Sequence, residues 1–228
     1  AETINKTKHE LADYTVNLEK KVEGRTIELQ EARDALWGEM KLASKMQIVL
    51  LPKEPFLPGY EIDAFMQPAE LVGGDYYDVI NFDNNSWVMV GDVSGHGVPA
   101  GLIMMMVQTA IRSIVMNEPG IVPSKLLDKV GKSIGYNMKN MLEQKFMTIS
   151  TFNFQPDGSV ICSGKHEDIL IYRKSSNSVK SIKTVGICLS YWKLGNRGKN
   201  IKFKLDKGDV LLLYTDGIIE ARDPDGNL

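Results

Sequence analysis

The stretch SWVMVGDVSGHGVPAGLIMMM, residues 86–106, decides the fold class. Its first eight residues run apolar and β-prone, as a buried strand does. Asp92 stands near the end of that run, SGHG follows as a glycine-rich turn, and Pro99 opens an apolar helix. A carboxylate at a strand end is held by rigid backbone while its head emerges into a cleft. Glycines beside it let the chain turn and let a ligand approach the main chain. Two further aspartates share this setting. Asp75 follows Gly73 and Gly74 in VGGDYYD, and Asp216 follows LLLYT, read as the end of another buried strand, with Gly217 behind it. One Asp-Gly alone is a turn. Three carboxylates converging from strand ends would repel one another unless a cation neutralised them, and hard oxygen donors select Mg²⁺ or Mn²⁺.

Outward from this stretch, YEIDAFMQPA, DYYDVINF, KFMTISTFNF, SVICSG, DILIYR and NIKFKL also read as strands, with DNN, PDG and SSNS as turns between them. Helices are expected over about Pro99 to Met116 and Ser124 to Leu142. Strands and helices segregated in this way predict an α+β domain with helices layered on mostly antiparallel sheets.

Toward the N-terminus the period changes. Leu11, Leu18, Val22, Leu29, Ala32, Leu36, Ala43, Met46 and Leu50 recur at steps of seven, or of three and four, on a charged background without proline. A stripe this narrow suits a coiled-coil seam better than a core face, and a helix this polar needs a partner. Pro52, Pro55 and Pro58 then stop it. The expected division is residues 1–51, a dimerising helix and linker, and residues 52–228, the catalytic-sized domain.

Composition narrows the class of function. The chain has 228 residues, and 27 Lys and Arg against 29 Asp and Glu give a net charge of −2, which offers no basic field for nucleic acid. Cys162 and Cys188 lie in neither a metal-like spacing nor a disulfide framework, so a reducing cytoplasm is expected. The opening residues lack the apolar core of a signal peptide, and no later stretch reads as long enough to span a bilayer. The abrupt start inside a helical pattern is read as a fragment whose sensor, membrane-bound or not, lies upstream.

Together VGGDYYD, GDVSGHGVPAGLIM and LLLYTDGIIEARDPDGN resemble the SpoIIE-type branch of the PPM family of metal-dependent phosphatases. ELQEARDALWGEMKLASKMQIVLLP resembles the coiled linker that leads into such domains. The resemblance implies a sandwich of two antiparallel sheets flanked by helices, with two divalent cations, Mn²⁺ or Mg²⁺, between the sheets. It gives Asp92 the role of bridging both cations and Val93 that of a backbone-carbonyl ligand. Asp75 would help hold one cation, and Asp216 would be the acid of the later strand. Two cations lowering the pKa of a shared water then imply in-line attack on phosphorus without a covalent phosphoenzyme. The implied substrate is a phosphoserine or phosphothreonine protein, of the anti-sigma-factor-antagonist type in a partner-switching module, with the N-terminal helix forming a regulatory homodimer. Family members continue to a GxDD-like segment carrying a further metal ligand, so the domain is expected to lack its C-terminal end at Leu228. The competing reading is a non-catalytic module that binds a phosphoprotein through a degenerate site.

Other residues take plainer readings. His96 is assigned to the turn into the Pro99 helix, packed or half exposed, rather than to proton donation. Asp78 is either a hydrogen-bond partner of the metal ligands or a strand surface acid. Met104, Met105, Met106 and Met116 are core filler before they are a partner surface. Lys165 interrupts the glycine-histidine pair usual in relatives, so His166 carries no role by likeness, and His9 and His166 read as structural or solvent-facing. Asp223 and Asp225 read as a turn.

Overall fold

Residues 86–93 fall within β2 (Asn85–Val93), which pairs antiparallel with β1 (Tyr76–Phe82) from Tyr76 opposite Gly91 to Phe82 opposite Asn85. The two residues between them, Asp83 and Asn84, have φ of 49° and 59°. Two positive φ values are what a two-residue hairpin turn needs, and Asp and Asn tolerate them best after glycine. The computed structural model describes residues 2–68, 71–141, 144–190, 198–221 and 223, the side chains of residues 2–5, 7–10 and 12 excepted.

β3 (Met147–Phe154), β4 (Ser159–Lys165) and β7 (Ile201–Lys204) extend this into a five-stranded antiparallel sheet in the order β1-β2-β3-β4-β7. A second antiparallel sheet has the order β6-β5-β8, from β5 (Ile169–Arg173), β6 (Ser178–Ile182) and β8 (Val210–Leu212). The two faces of the larger sheet bury different things, as the period of two requires. Trp87, Met89 and Val93 of β2 point with Met147 and Ile149 toward α2 (Val98–Asn117) and α3 (Pro123–Asn140). Val90, Phe152, Phe154 and Val160 point the other way, onto Ile169 and Ile171 of the smaller sheet. The layers are therefore helices, five strands, three strands, which is the α+β sandwich of two antiparallel sheets expected from sequence.

Several local expectations need correction. YEIDAFMQPA forms no strand over its described residues; Tyr60 makes only an isolated bridge to Leu57. Pro68 supplies no backbone donor there, and the ladder's outer position is taken by β1. The strand before Asp216 is short and half exposed rather than buried, because β8 lies at a sheet edge with Val210 and Leu212 facing out. β6, with the sequence SVKSI, carried too few apolar residues to be read as a strand. α2 is long and apolar enough by length and composition to cross a bilayer, contrary to expectation. Core packing explains that apolarity, since Ile103, Met104, Val107, Ile111 and Val115 are buried in the layer between helix and sheet. Met104 is core, whereas Met116 is exposed.

α1 (Glu2–Leu50) runs without interruption and stops two residues before Pro52. The stripe residues whose side chains are described are exposed in the single chain, Leu29 at 71% and Leu36 at 59%, except Ala43, which is half-buried. Residues divide into two compact units, Ala1–Leu42 and Ala43–Leu228, so the last two turns of α1 belong to the second.

Candidate metal centre

Three separated elements deliver acids to one place. Asp92 comes from the end of β2, Asp75 from the loop that leads into β1, and Asp216 from the first residue of α4 (Asp216–Ile219), just beyond β8. Their proximity shows in their electrostatics. Burial pushes the Asp92 carboxyl up to about 7, reinforced by the charges of Asp75, then Asp216, and more weakly Glu220, while a hydrogen bond from its neighbour Val93 N–H opposes the shift. Burial likewise raises Asp75, partly offset by a hydrogen bond from the Thr215 hydroxyl and raised further by Asp216. Carboxylates that resist ionisation together are the electrostatic picture of a site that needs a cation.

The backbone is shaped for the same purpose. Val93 N–H donates to the Gly74 carbonyl at 3.2 Å, and Gly97 N–H donates to the Val72 carbonyl at 3.0 Å, so the VGGD loop is stitched to both ends of the SGHG turn. A Cβ on Gly74 would collide with the Val93 carbonyl and stand 2.8 Å from Asp92 Oδ1. Only glycine leaves those two oxygens open. The donor set is hard oxygen throughout and fits Mg²⁺ or Mn²⁺. Among the described residues no group of three or more His, Cys, Asp or Glu side chains is drawn close enough to hold a metal ion by itself. A bound cation would therefore draw on main-chain oxygen and water as well, as Mg²⁺ commonly does.

Supporting residues lie where sequence reading did not look. Gln47, on the last turns of α1, is 1% exposed; its Nε2 donates to the Gly73 carbonyl at 2.7 Å and its Oε1 accepts from Gly73 N–H at 3.2 Å. The signal was a lone amide inside the apolar run MQIVLL. Glu220, one helical turn after Asp216, adds negative charge at Asp92. Asp78 is neither a partner of the acidic cluster nor a surface acid. Fully buried, it takes a two-point ion pair from Arg112 at 2.6 and 2.9 Å, and accepts from its own neighbour Val79 N–H at 2.8 Å. That pair locks α2 to β1. His96 is exposed in the loop before α2. His166 is buried and fully engaged. Asp223 is exposed, whereas Asp225 and the side chain of His9 lie outside the described residues.

Two antiparallel sheets under a helical layer, with carboxylates gathered from loop and strand ends, define the architecture of a PP2C-like phosphatase. The family model for Stage II sporulation protein E (SpoIIE) matches residues 83–228, and the chain belongs to that family. It is 28% identical over 203 residues to phosphoserine phosphatase RsbU of Bacillus subtilis, covering 88% of this chain and 59% of the relative. The chain thus spans less than two thirds of that relative's length. Among solved structures, the SiaA-PP2C domain of Pseudomonas aeruginosa superposes with a TM-score of 0.69 at 21% identity, covering 86% of this chain and 78% of that one. The RsbU and RsbW domains of Rv1364c from Mycobacterium tuberculosis give 0.55 at 26% identity, covering 66% and 40%.

Proposed function

We propose that this chain is a metal-dependent protein phosphatase that removes phosphate from phosphoserine or phosphothreonine on a partner protein. The observation that carries this reading is the convergence of Asp75, Asp92 and Asp216 from three elements, with the pKa of Asp92 raised by burial first and then by the charges of the other two. Asp92 would bridge two cations, Mn²⁺ or Mg²⁺, with Asp75, Asp216 and the Val93 carbonyl as further ligands from these residues. When bound, the cations would supply an activated water and neutralise phosphoryl charge. Gly74 keeps the oxygens accessible, and Thr215 orients Asp75. Likeness to a phosphoserine phosphatase supports the substrate class. A phosphorylated antagonist of an anti-sigma factor, in a cytoplasmic partner-switching system, is the form of substrate we assign.

Regulation through α1 belongs to the same proposal. The exposed stripe would pair two chains in parallel, and a change of crossing angle or rotation would reach the acidic cluster through Gln47, whose amide holds the residue before Gly74. Release of phosphate from a phosphoserine protein, titrated with Mn²⁺ in a chain continuing past Leu228, tests the reading. Asp92→Asn should abolish turnover at every Mn²⁺ concentration, whereas part of the Asp216→Asn loss should return at high Mn²⁺. Turnover by Asp92→Asn equal to wild type at saturating Mn²⁺ would overturn it, and metal-independent capture of the phosphoprotein without turnover would favour a binding module.

A further inference from the structure

We propose that His166 is a positioning residue for the acidic cluster, tying the strand end that presents Asp216 to the strand that flanks Asp92. The inference rests on the metal-centre reading above. His166 lies in the connection from β4 to β5, where the chain passes from the larger sheet to the smaller. It is 6% exposed, and all four of its polar atoms are engaged. Its backbone N–H donates to Thr184 Oγ1 at 3.2 Å, and the Thr184 hydroxyl donates back to the His166 carbonyl. These two bonds clamp the main chain and leave the imidazole little freedom except to bridge.

The ring reaches from β3 to the segment between β8 and α4. Nε2 lies 3.0 Å from the Tyr214 carbonyl, two residues before Asp216 and one before Thr215, whose hydroxyl bonds Asp75. A carbonyl only accepts, so Nε2 carries the ring proton. Nδ1 lies 2.9 Å from Thr148 Oγ1 on β3, and that hydroxyl is also 3.3 Å from the Asp92 carbonyl. Burial holds the imidazole pKa down to about 4, so the ring is neutral in the physiological range and Nδ1 accepts from Thr148. One rigid side chain thereby spans Tyr214 and Thr148, and Thr148 lies directly opposite Asp92 in the β2–β3 ladder. Gly164, two residues earlier, has φ of 123° and lies against Ile149, a placement no side chain would allow. From this close approach near the end of β4 the chain delivers His166 to the crossing.

The geometry separates two amide replacements. In His166→Gln the terminal amide can occupy the Nε2 position and still donate to Tyr214; in His166→Asn the amide ends near the Nδ1 position and cannot. Mn²⁺ binding measured by loss of the free-ion paramagnetic resonance signal should stay within about twofold of wild type in the Gln variant and weaken roughly tenfold in the Asn variant. Metal-free hydrogen–deuterium exchange over residues 211–220 should follow the same order, roughly tenfold faster for Asn only. Exchange and Mn²⁺ affinity unchanged in a folded Asn variant would overturn the proposal. If the Asn chain does not fold, a folded Gln variant with tenfold weaker Mn²⁺ binding overturns it equally, since its Tyr214 bond is kept. Should wild type bind no Mn²⁺ while the exchange difference persists, positioning by His166 stands and the metal reading falls.

Discussion

Asp92 places function and stability in opposition. Its carboxyl, near 4 in an unfolded chain, is raised to about 7 in the fold. The native state therefore holds this proton more tightly than the unfolded chain. The resulting contribution to stability is present at acid pH and is lost as pH rises from about 4 through about 7. Because the side chain is partly solvated, the effect is smaller than the shift alone implies. In the metal-free protein, Asp92→Asn should raise the Tm at pH 8 by roughly 3 °C and give no gain at pH 4, as read by scanning fluorimetry. An equal gain at both pH values would remove charge repulsion as its cause. Asp78 behaves differently: its carboxylate is fully buried and is satisfied by Arg112, whose own side chain stays partly exposed. Arg112→Met should cost about 3 kcal/mol in urea unfolding, because it strands a buried carboxylate. Asp78→Asn combined with Arg112→Met should restore part of that loss.

At the scale of elements, α1 presents two faces of consequence. Its exposed stripe predicts self-association, and Leu29→Asp with Leu36→Asp, which places charge in the seam, should convert a dimer to a monomer in sedimentation. A wild-type chain that sediments as a monomer at tens of micromolar would refute the pairing. Its last turns carry Gln47, and Gln47→Leu keeps the bulk while removing both bonds to Gly73. Lower phosphatase activity in a chain with an unshifted melting profile is the expected outcome. Elements with a strong period were legible in sequence: α1 from its heptads, β1 and β2 from their apolar runs, α2 from Pro99 onward. β6 and β8 were harder, because three to five residues at a sheet edge are stabilised by their ladder partner rather than by their own composition. The three aspartates were legible because each stood beside glycine at a strand end. Gln47, Thr148, Thr215 and His166 were not, since hydrogen bonds across 18 to 140 positions of sequence leave no local pattern.

For the whole molecule, the proposed metal site implies that cation binding would be coupled to folding, because only the folded chain brings the three acids together. Adding Mn²⁺ at a hundredfold excess over its Kd should stabilise the native state by about 2.7 kcal/mol, and Asp92→Asn should remove that response while melting cooperatively without metal. The division of the chain into Ala1–Leu42 and Ala43–Leu228 also gives the polypeptide a built-in breaking point. Lys20, Lys21, Arg25, Arg33 and Lys41 all lie exposed on the first unit. A solitary helix of this polarity frays and is open to a protease, whereas one wound with a second copy is shielded. Limited trypsin digestion therefore reports pairing directly. Dilution below the dimer dissociation constant should produce a ladder of cuts that stops at a resistant core beginning near Leu42, a core that still contains Gln47 and its hold on Gly73.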